Sequence, residues 1–164
     1  MKTRSMCGVI CIVAGFLLPG NSLLAGSRAR VPNDVSLELG GKCLLYSLSY
    51  QRMITEPIGL EVGVSMLGGG TSEGSSSILF FSGCGRFYFI QKDASPYISA
   101  GFVGLTASST SGPFSDSGSS SYGFVGPGFE YRSEGGFLVR GSVYALIAHG
   151  GFFVWPGVTI GIAF

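Results

Sequence analysis

The chain of 164 residues contains a single histidine, His149, which is the obvious candidate for a catalytic base. Nucleophilic catalysis needs such a base within hydrogen-bond reach of a hydroxyl, and a third group that orients it. Ser142 lies seven residues earlier, but Gly150 and Gly151 follow the histidine, and no third group can be assigned. We therefore interpret His149 as a loop histidine and expect no catalytic residues.

Cysteine and glycine offer no metal or phosphate site. Cys43 and Cys84 lie at places unrelated to each other and to His149, so they form no ligand cluster. The stretch GGGTSEG, residues 68–74, has neither a following Lys-Ser pair nor a following helix, and is not a phosphate-binding loop. We expect no metal and no cofactor. Whether Cys43 and Cys84 pair stays open.

The other residues with strong chemistry are single charges inside apolar stretches. They are Glu38 in SLELG, Glu61 in LEVGV, Arg86 in GCGRFY, Glu130 in FEYR and Arg140 in FLVRGSVY. The elements that hold them are predicted to be strands, because polarity alternates in segments of about ten residues separated by glycine, serine, proline and charge. There are eight such segments, approximately 34–41, 43–54, 58–67, 77–90, 96–107, 121–132, 136–148 and 154–164.

Alternation gives each segment two unlike faces. From Leu60 to Met66, bulky aliphatic residues alternate with Glu61, Gly63 and Ser65. A soluble sandwich alternates too, but its solvent face would be rich in lysine, so we interpret the small polar face as a narrow lumen. Aromatic residues near segment ends are typical of the interfacial girdles of membrane barrels, with ordinary core aromatics as the alternative; they are Tyr46, Tyr50, Phe89, Tyr131, Phe137, Phe152, Phe153 and Trp155.

The connections also favour a membrane barrel, because every second one is tight while most of the others are longer. Outer-membrane barrels have short periplasmic turns and longer outside loops. The longest connections are GGGTSEGSS and the serine-rich SSTSGPFSDSGSSS, which we expect to be a flexible surface loop. GGK is too short for an outside loop, which leaves open whether segments one and two form a single bent strand.

The N-terminus has the pattern of a secretory signal peptide. Lys2 and Arg4 precede an apolar run, and small residues follow, so we expect residues 1–29 to hold the signal peptide and a short lead-in, with cleavage between Ala25 and Ala29. An uncleaved anchor is the alternative. Loss of the two basic residues leaves eight Lys and Arg against nine Asp and Glu. Such a balance gives nucleic-acid binding no electrostatic basis.

The chain ends in a strand, WPGVTIGIAF, with an aromatic last residue. The sequence resembles the small eight-stranded outer-membrane barrels of the OmpA-like and OmpX-like class, and GGKCLLYSLSYQR is similar to the opening of an uncharacterised barrel family. The resemblance implies that Val158, Ile160, Ile162 and Phe164 are the signal read by the barrel-assembly machinery during insertion, although Thr159 occupies the place of an expected glycine.

The sequence thus predicts an all-β protein: a cleaved signal peptide, then an eight-stranded antiparallel up-and-down transmembrane β-barrel over 34–164 in the Gram-negative outer membrane. We expect a porin-like membrane protein with a structural or surface-interaction role and outer-membrane lipid around it, without catalysis and without an open channel. Any extracellular partner stays undetermined. The alternatives are an enzyme that modifies lipid A, whose deacylase class has a His-x-Ser pairing that is missing here, and a secreted lipocalin-like barrel.

The charged residues should point inward in such a barrel. An Arg or Lys on the lipid face near the bilayer midplane costs about 2 to 4 kcal/mol, so Arg140 should face the lumen. The same reasoning turns Glu38, Glu61, Arg86 and Glu130 inward. Eight strands enclose an interior just wide enough for side chains, so these charges should pair across it.

Overall fold

The computed structural model describes residues 27–71, 74–111 and 114–164. Residues 1–26, which hold most of the predicted signal peptide, lie outside these ranges, so the cleavage stays a prediction. No helix in the described part of the chain is long and apolar enough to cross a membrane.

Eight strands form a closed antiparallel barrel in which each strand pairs with the next along the chain and the last pairs with the first. A four-residue helix, α1 (Ser27–Arg30), precedes them. The predicted all-β, eight-stranded up-and-down barrel is confirmed. The strands are β1 (Asn33–Gly40), β2 (Tyr46–Met53), β3 (Ile58–Thr71), β4 (Gly74–Tyr88), β5 (Ala94–Ser111), β6 (Phe114–Arg132), β7 (Phe137–Ala148) and β8 (Gly151–Ala163).

Barrel closure holds the end of the chain. In the β1–β8 ladder Val35 lies opposite Ile162, and Asn33 and Phe164 exchange backbone hydrogen bonds of 3.1 and 2.9 Å. A closed barrel has no free edge where its strands pair. The backbone of Phe164, which directly follows β8, is therefore held by the start of β1.

The two faces of the barrel are chemically opposite. The outer face carries the aliphatic residues of the alternating pattern, with Leu60, Val62 and Val64 all more than 40% exposed, whereas Glu61 on the inner face is 3% exposed. An apolar outside around charged residues is the reverse of a soluble ligand-binding barrel. The secreted lipocalin-like alternative is therefore wrong.

The side chains on the inner face are not all as small as the sequence suggested. Large side chains point inward beside the serines and charges, because the lumen must be filled to native density. The buried apolar and aromatic side chains include Phe80, Tyr88, Tyr97, Val103, Phe124, Leu138, Tyr144 and Leu146.

The first two predicted segments are separate strands, and their connection is longer than GGK. The chain forms a 3₁₀ turn over Gly41–Cys43, and β2 begins at Tyr46 rather than at Cys43. Gly40 and Gly41 have φ values of +69° and +67°, which glycine adopts at little cost. These angles send the turn back into the mouth of the barrel, and both Lys42 and Cys43 are buried there.

The two longest connections, GGGTSEGSS and SSTSGPFSDSGSSS, were predicted to be surface loops. That prediction is wrong, because most of their residues belong to paired strands. The β3–β4 ladder continues to Thr71 and Gly74, and the β5–β6 ladder continues to Ser111 and Phe114. The serine-rich stretch is thus a β-hairpin and not a flexible loop. Glycine has low β propensity, but here each strand has a neighbour to pair with.

Candidate functional site

The lumen near the periplasmic end holds a network centred on Arg140. Its Nη2 lies 2.6 Å from Asp34 Oδ2, its Nε bonds to Glu130 Oε2, and its Nη1 lies 3.9 Å from Glu61. Arg132 shares Asp34 at 2.8 Å. One guanidinium therefore contacts three carboxylates that come from β1, β6 and β3, and all are buried.

The middle of the lumen connects this network to the next ion pair. Arg86 Nη2 lies 2.6 Å from Glu61 Oε2, and the same guanidinium donates to the Gln51 side-chain carbonyl. Gln51 Nε2 donates to the Tyr88 hydroxyl at 3.0 Å, and Tyr88 donates to Glu130 at 2.8 Å. The five charges predicted to be lumenal are all buried, and four of them, Glu61, Arg86, Glu130 and Arg140, lie in this continuous chain of contacts.

The fifth, Glu38, lies nearer the extracellular mouth, where the β1–β2 turn covers the lumen. Lys42 Nζ lies 2.6 Å from Glu38 Oε2 and 2.8 Å from Glu61 Oε1. Tyr144 donates to Glu38 Oε1 at 2.9 Å, and Tyr122 donates to the Lys42 carbonyl at 2.5 Å. Lys42 thus ties the turn down to the barrel wall.

Sequence reasoning missed four lumenal charges, Arg28, Asp34, Lys42 and Arg132. The alternation of strand faces could have found two of them. Asp34 lies an even number of residues from Glu38, and Arg132 lies an even number from Glu130, so each pair faces the same side of its strand. Lys42 lies in a turn, where alternation gives no direction. Arg28 lies in the segment assigned to the signal peptide and lead-in.

The residues considered for catalysis are kept apart. His149 is exposed in the turn between β7 and β8, while Ser142 is buried and lies 2.7 Å from the Tyr97 hydroxyl. Cys43 and Cys84 are both buried free thiols. Within the described ranges, no group of three or more His, Cys, Asp or Glu residues is placed to hold a metal ion.

Beyond the barrel, β3 to β6 continue on the extracellular side as a four-stranded sheet, which we call the extracellular sheet. It comprises 68–71, 74–77, 106–111 and 114–121. Consecutive residues such as Ser108 and Ser109, or Ser117 to Ser121, are exposed, so both faces of this sheet are open. A strand of the barrel wall has one inner and one outer face; a sheet exposed on both faces stands clear of the lumen.

Both edges of the extracellular sheet lack a neighbouring strand in the described part of the chain. The β2–β3 ladder reaches outward only to Leu48 and Val64, and the β6–β7 ladder only to Gly123 and Ile147. Just below the β3 edge, the Tyr46 hydroxyl donates a hydrogen bond to the Met66 carbonyl. Residues 114–121 of β6 form the longer open edge, which we call the β6 edge.

The predicted assembly-signal residues lie on the outer face of the last strand. Val158, Ile160, Ile162 and Phe164 are all exposed to the surroundings of the barrel, and Thr159 points into it. Val158, Ile160 and Ile162 lie opposite Leu39, Leu37 and Val35 of β1. The alternation that suggested the signal is therefore also the alternation that closes the barrel.

Comparison with known proteins supports the fold. No protein-family model matches the sequence, and no curated protein matches it. Among solved structures, the N-terminal β-barrel domain of Pseudomonas aeruginosa OprF is similar, with 15% identity over 80% of this chain and 95% of that domain and a TM-score of 0.61. Ail, the attachment invasion locus protein of Yersinia pestis, in complex with the heparin analogue sucrose octasulfate, has 16% identity over 80% of this chain and 94% of that chain and a TM-score of 0.54.

The closed barrel and the apolar character of its outer surface both fit a protein that spans a bilayer. Only helices and closed barrels can satisfy every backbone group inside a bilayer, and this closed barrel has an apolar outer face around a charged interior. An even number of antiparallel strands with an outward apolar band is characteristic of bacterial outer-membrane barrels. The chain therefore has the fold of the eight-stranded transmembrane barrels of the Gram-negative outer membrane, as its sequence predicted.

Proposed function

We propose that this outer-membrane barrel acts as a surface-interaction protein and binds through its extracellular sheet, without catalysis and without an open channel. The observation that carries the proposal is the β6 edge. It presents unpaired backbone groups on a sheet that is exposed on both faces. An extended polypeptide can add to such an edge as a further strand, with main-chain hydrogen bonds supplying the affinity.

The side chains of the β6 edge favour strand addition. Natural edges are commonly protected by lysine, proline or a covering segment. The stretch 115–121 reads SDSGSSS, with one acidic residue and no lysine or proline. Its small side chains would let a partner backbone approach closely and would impose little sequence preference.

The absence of basic residues argues for a polypeptide partner over a polyanion. Neither 65–77 nor 105–122 contains a lysine or arginine in its sequence. Ail is recorded with a heparin analogue, but here a sulfated sugar would meet no cation on the extracellular sheet. The name of Ail refers to attachment, and attachment through protein contacts is the role that we propose for this chain.

The packed lumen supports the absence of a channel. An eight-stranded barrel is just wide enough to be filled by side chains, and here Lys42 covers the extracellular end while Arg140 and its carboxylate partners occupy the periplasmic half. We expect the protein reconstituted in planar bilayers to give no stepwise conductance. Stable single-channel steps in the purified protein would contradict this part of the proposal.

Binding to the β6 edge can be tested with the protein in lipid nanodiscs on a biosensor. The probes are a reduced and alkylated, unfolded polypeptide and heparin. We expect the polypeptide alone to bind, and Ser117→Lys with Ser119→Lys to weaken its binding at least about tenfold, which is about 1.4 kcal/mol. The control is Ser76→Lys with Ser108→Lys, which adds the same charge to strands that are paired on both sides.

Two results would overturn the proposed binding mode. One is equal loss of polypeptide binding in the edge and control variants, since backbone pairing would then not be the cause. The other is binding of heparin alone. For the enzyme alternative, mass spectrometry of lipid A from cells with and without the protein is decisive, and we expect no change in acyl pattern.

A further inference from the structure

Arg28 is built into the periplasmic end of the barrel. Its side chain is 3% exposed, and its Nε lies 2.9 Å from Glu130 Oε1. Its Nη1 donates to the backbone carbonyls of Ile90 at 3.2 Å and Lys92 at 2.7 Å, and its guanidinium stacks 4.4 Å from the centre of the Tyr88 ring. A buried charge is stable only when paired and hydrogen-bonded, and Arg28 has both kinds of contact.

The residues after Arg28 are fixed as well. Arg132 Nη1 donates to the Val31 carbonyl at 2.8 Å, and the Met53 amide donates to the Pro32 carbonyl at 2.8 Å. In a closed eight-stranded barrel β1 lies across the lumen from β5. The segment 28–32 therefore runs from the start of β1 to the β4–β5 turn and β6 on the far side, as a strap over the periplasmic mouth.

We propose that signal peptidase cuts on the amino side of Arg28, at one of the bonds between Ala25 and Arg28, so that the mature chain keeps this strap. Water adds across the peptide bond, leaving a new carboxylate on the signal peptide and a new α-ammonium group on the mature protein. The small residues Ala25, Gly26 and Ser27 suit such a site. A cut after Ala29 fits the small-residue pattern too, but it would remove Arg28 and leave the Ile90 and Lys92 carbonyls without this donor.

The cleavage site is tested by N-terminal sequencing and intact mass of the protein purified from outer membranes. We expect the first residue to be Gly26, Ser27 or Arg28. A mature chain that starts at Arg30, or one that keeps the whole signal segment, would overturn the proposal.

The strap itself is tested by Arg28→Gln, with Arg30→Gln as the matched control. Arg30 lies two residues away in the same helix but is exposed. We expect Arg28→Gln to lower the temperature at which the folded, fast-migrating form is lost on gels by about 4 °C or more, and Arg30→Gln to leave it within about 1 °C.

Two further measurements keep this comparison decisive. Sequencing the N-terminus of both variants shows whether either change moves the cleavage site. A version with a different signal peptide, designed to leave Arg30 as the first residue, should unfold at a temperature as low as that of Arg28→Gln. Equal behaviour of Arg28→Gln and Arg30→Gln, with both correctly processed, would show that the strap does not hold the mouth.

Discussion

Replacing Arg140 with methionine should destabilise the barrel, because this guanidinium joins three buried carboxylates. Removing one partner of a buried ion pair typically costs about 3 to 5 kcal/mol. Here Asp34 keeps Arg132 at 2.8 Å, and Glu130 keeps Arg28 at 2.9 Å. Since neither carboxylate is left without a cation, we expect Arg140→Met to cost about 3 kcal/mol, at the lower end of that range.

Glu130→Gln should cost more, about 5 kcal/mol, because three arginines lose the carboxylate that they share. Both single variants lose the Arg140–Glu130 contact. The double variant, Arg140→Met with Glu130→Gln, should therefore lose less unfolding free energy than the sum of the two single losses, by about 0.5 to 3 kcal/mol. Arg140→Met with Glu61→Gln should show the same partial relief, to a smaller degree, because the distance there is 3.9 Å.

The assay is equilibrium unfolding in urea with the protein in lipid vesicles, supported by the temperature at which the fast-migrating form disappears on gels. Arg52→Met is the control, because Arg52 lies at the periplasmic end of β2 and is partly exposed, and exposed ion pairs contribute about 0 to 1 kcal/mol. Equal effects of Arg140→Met and Arg52→Met would refute the account of the lumen.

Three further predictions test other parts of the barrel. Phe164→Ser, or deletion of Phe164, should lower the amount of protein in the outer membrane on immunoblots, because the last strand must close the barrel and by resemblance be recognised; unchanged levels would contradict this. Gly128→Leu should lower the free energy of unfolding by about 1 to 3 kcal/mol, because a Cβ there would lie 2.3 Å from the Tyr97 ring. At Gly104 a Cβ would have no atom within 4 Å, so Gly104→Leu should be close to neutral in the same urea assay. Lys42→Met should lower the gel transition temperature by leaving Glu38 without a cation, and Glu38→Gln should partly restore it; an unchanged transition would show that the turn is not held by this pair.

The barrel wall was predictable because its physical pattern is local. A lipid-facing strand needs a bulky apolar residue at every second position, so Leu60, Val62 and Val64 reveal their face without any knowledge of neighbouring strands. Glu61 and Arg140 lie next to such outward-facing positions, so the alternation assigns them to the lumen. The same regularity located β8 and its closure against β1.

The mouths of the barrel were not predictable in this way. Lys42 turns inward because of two glycines with positive φ, and no periodicity reports such a turn. The Ser108 to Ser121 stretch has polar residues on both faces, so it shows no alternation, and its pairing depends on neighbours that lie far along the chain. Arg28 has its partners more than sixty residues away in β6 and in the β4–β5 turn.

The most direct test of the transmembrane barrel is the labelling of single cysteines along β8 in isolated, carbonate-washed outer membranes. Cysteine replaces Val158, Thr159, Ile160, Ile162 and Ala163 one at a time in a chain whose Cys43 and Cys84 have been changed to alanine. Our account predicts that a lipid-soluble thiol probe labels positions 158, 160 and 162, which are exposed on the outer face, and spares 159 and 163, which are buried. Labelling without alternation, preferential labelling of 159 and 163, or recovery of the protein in the carbonate wash would contradict it.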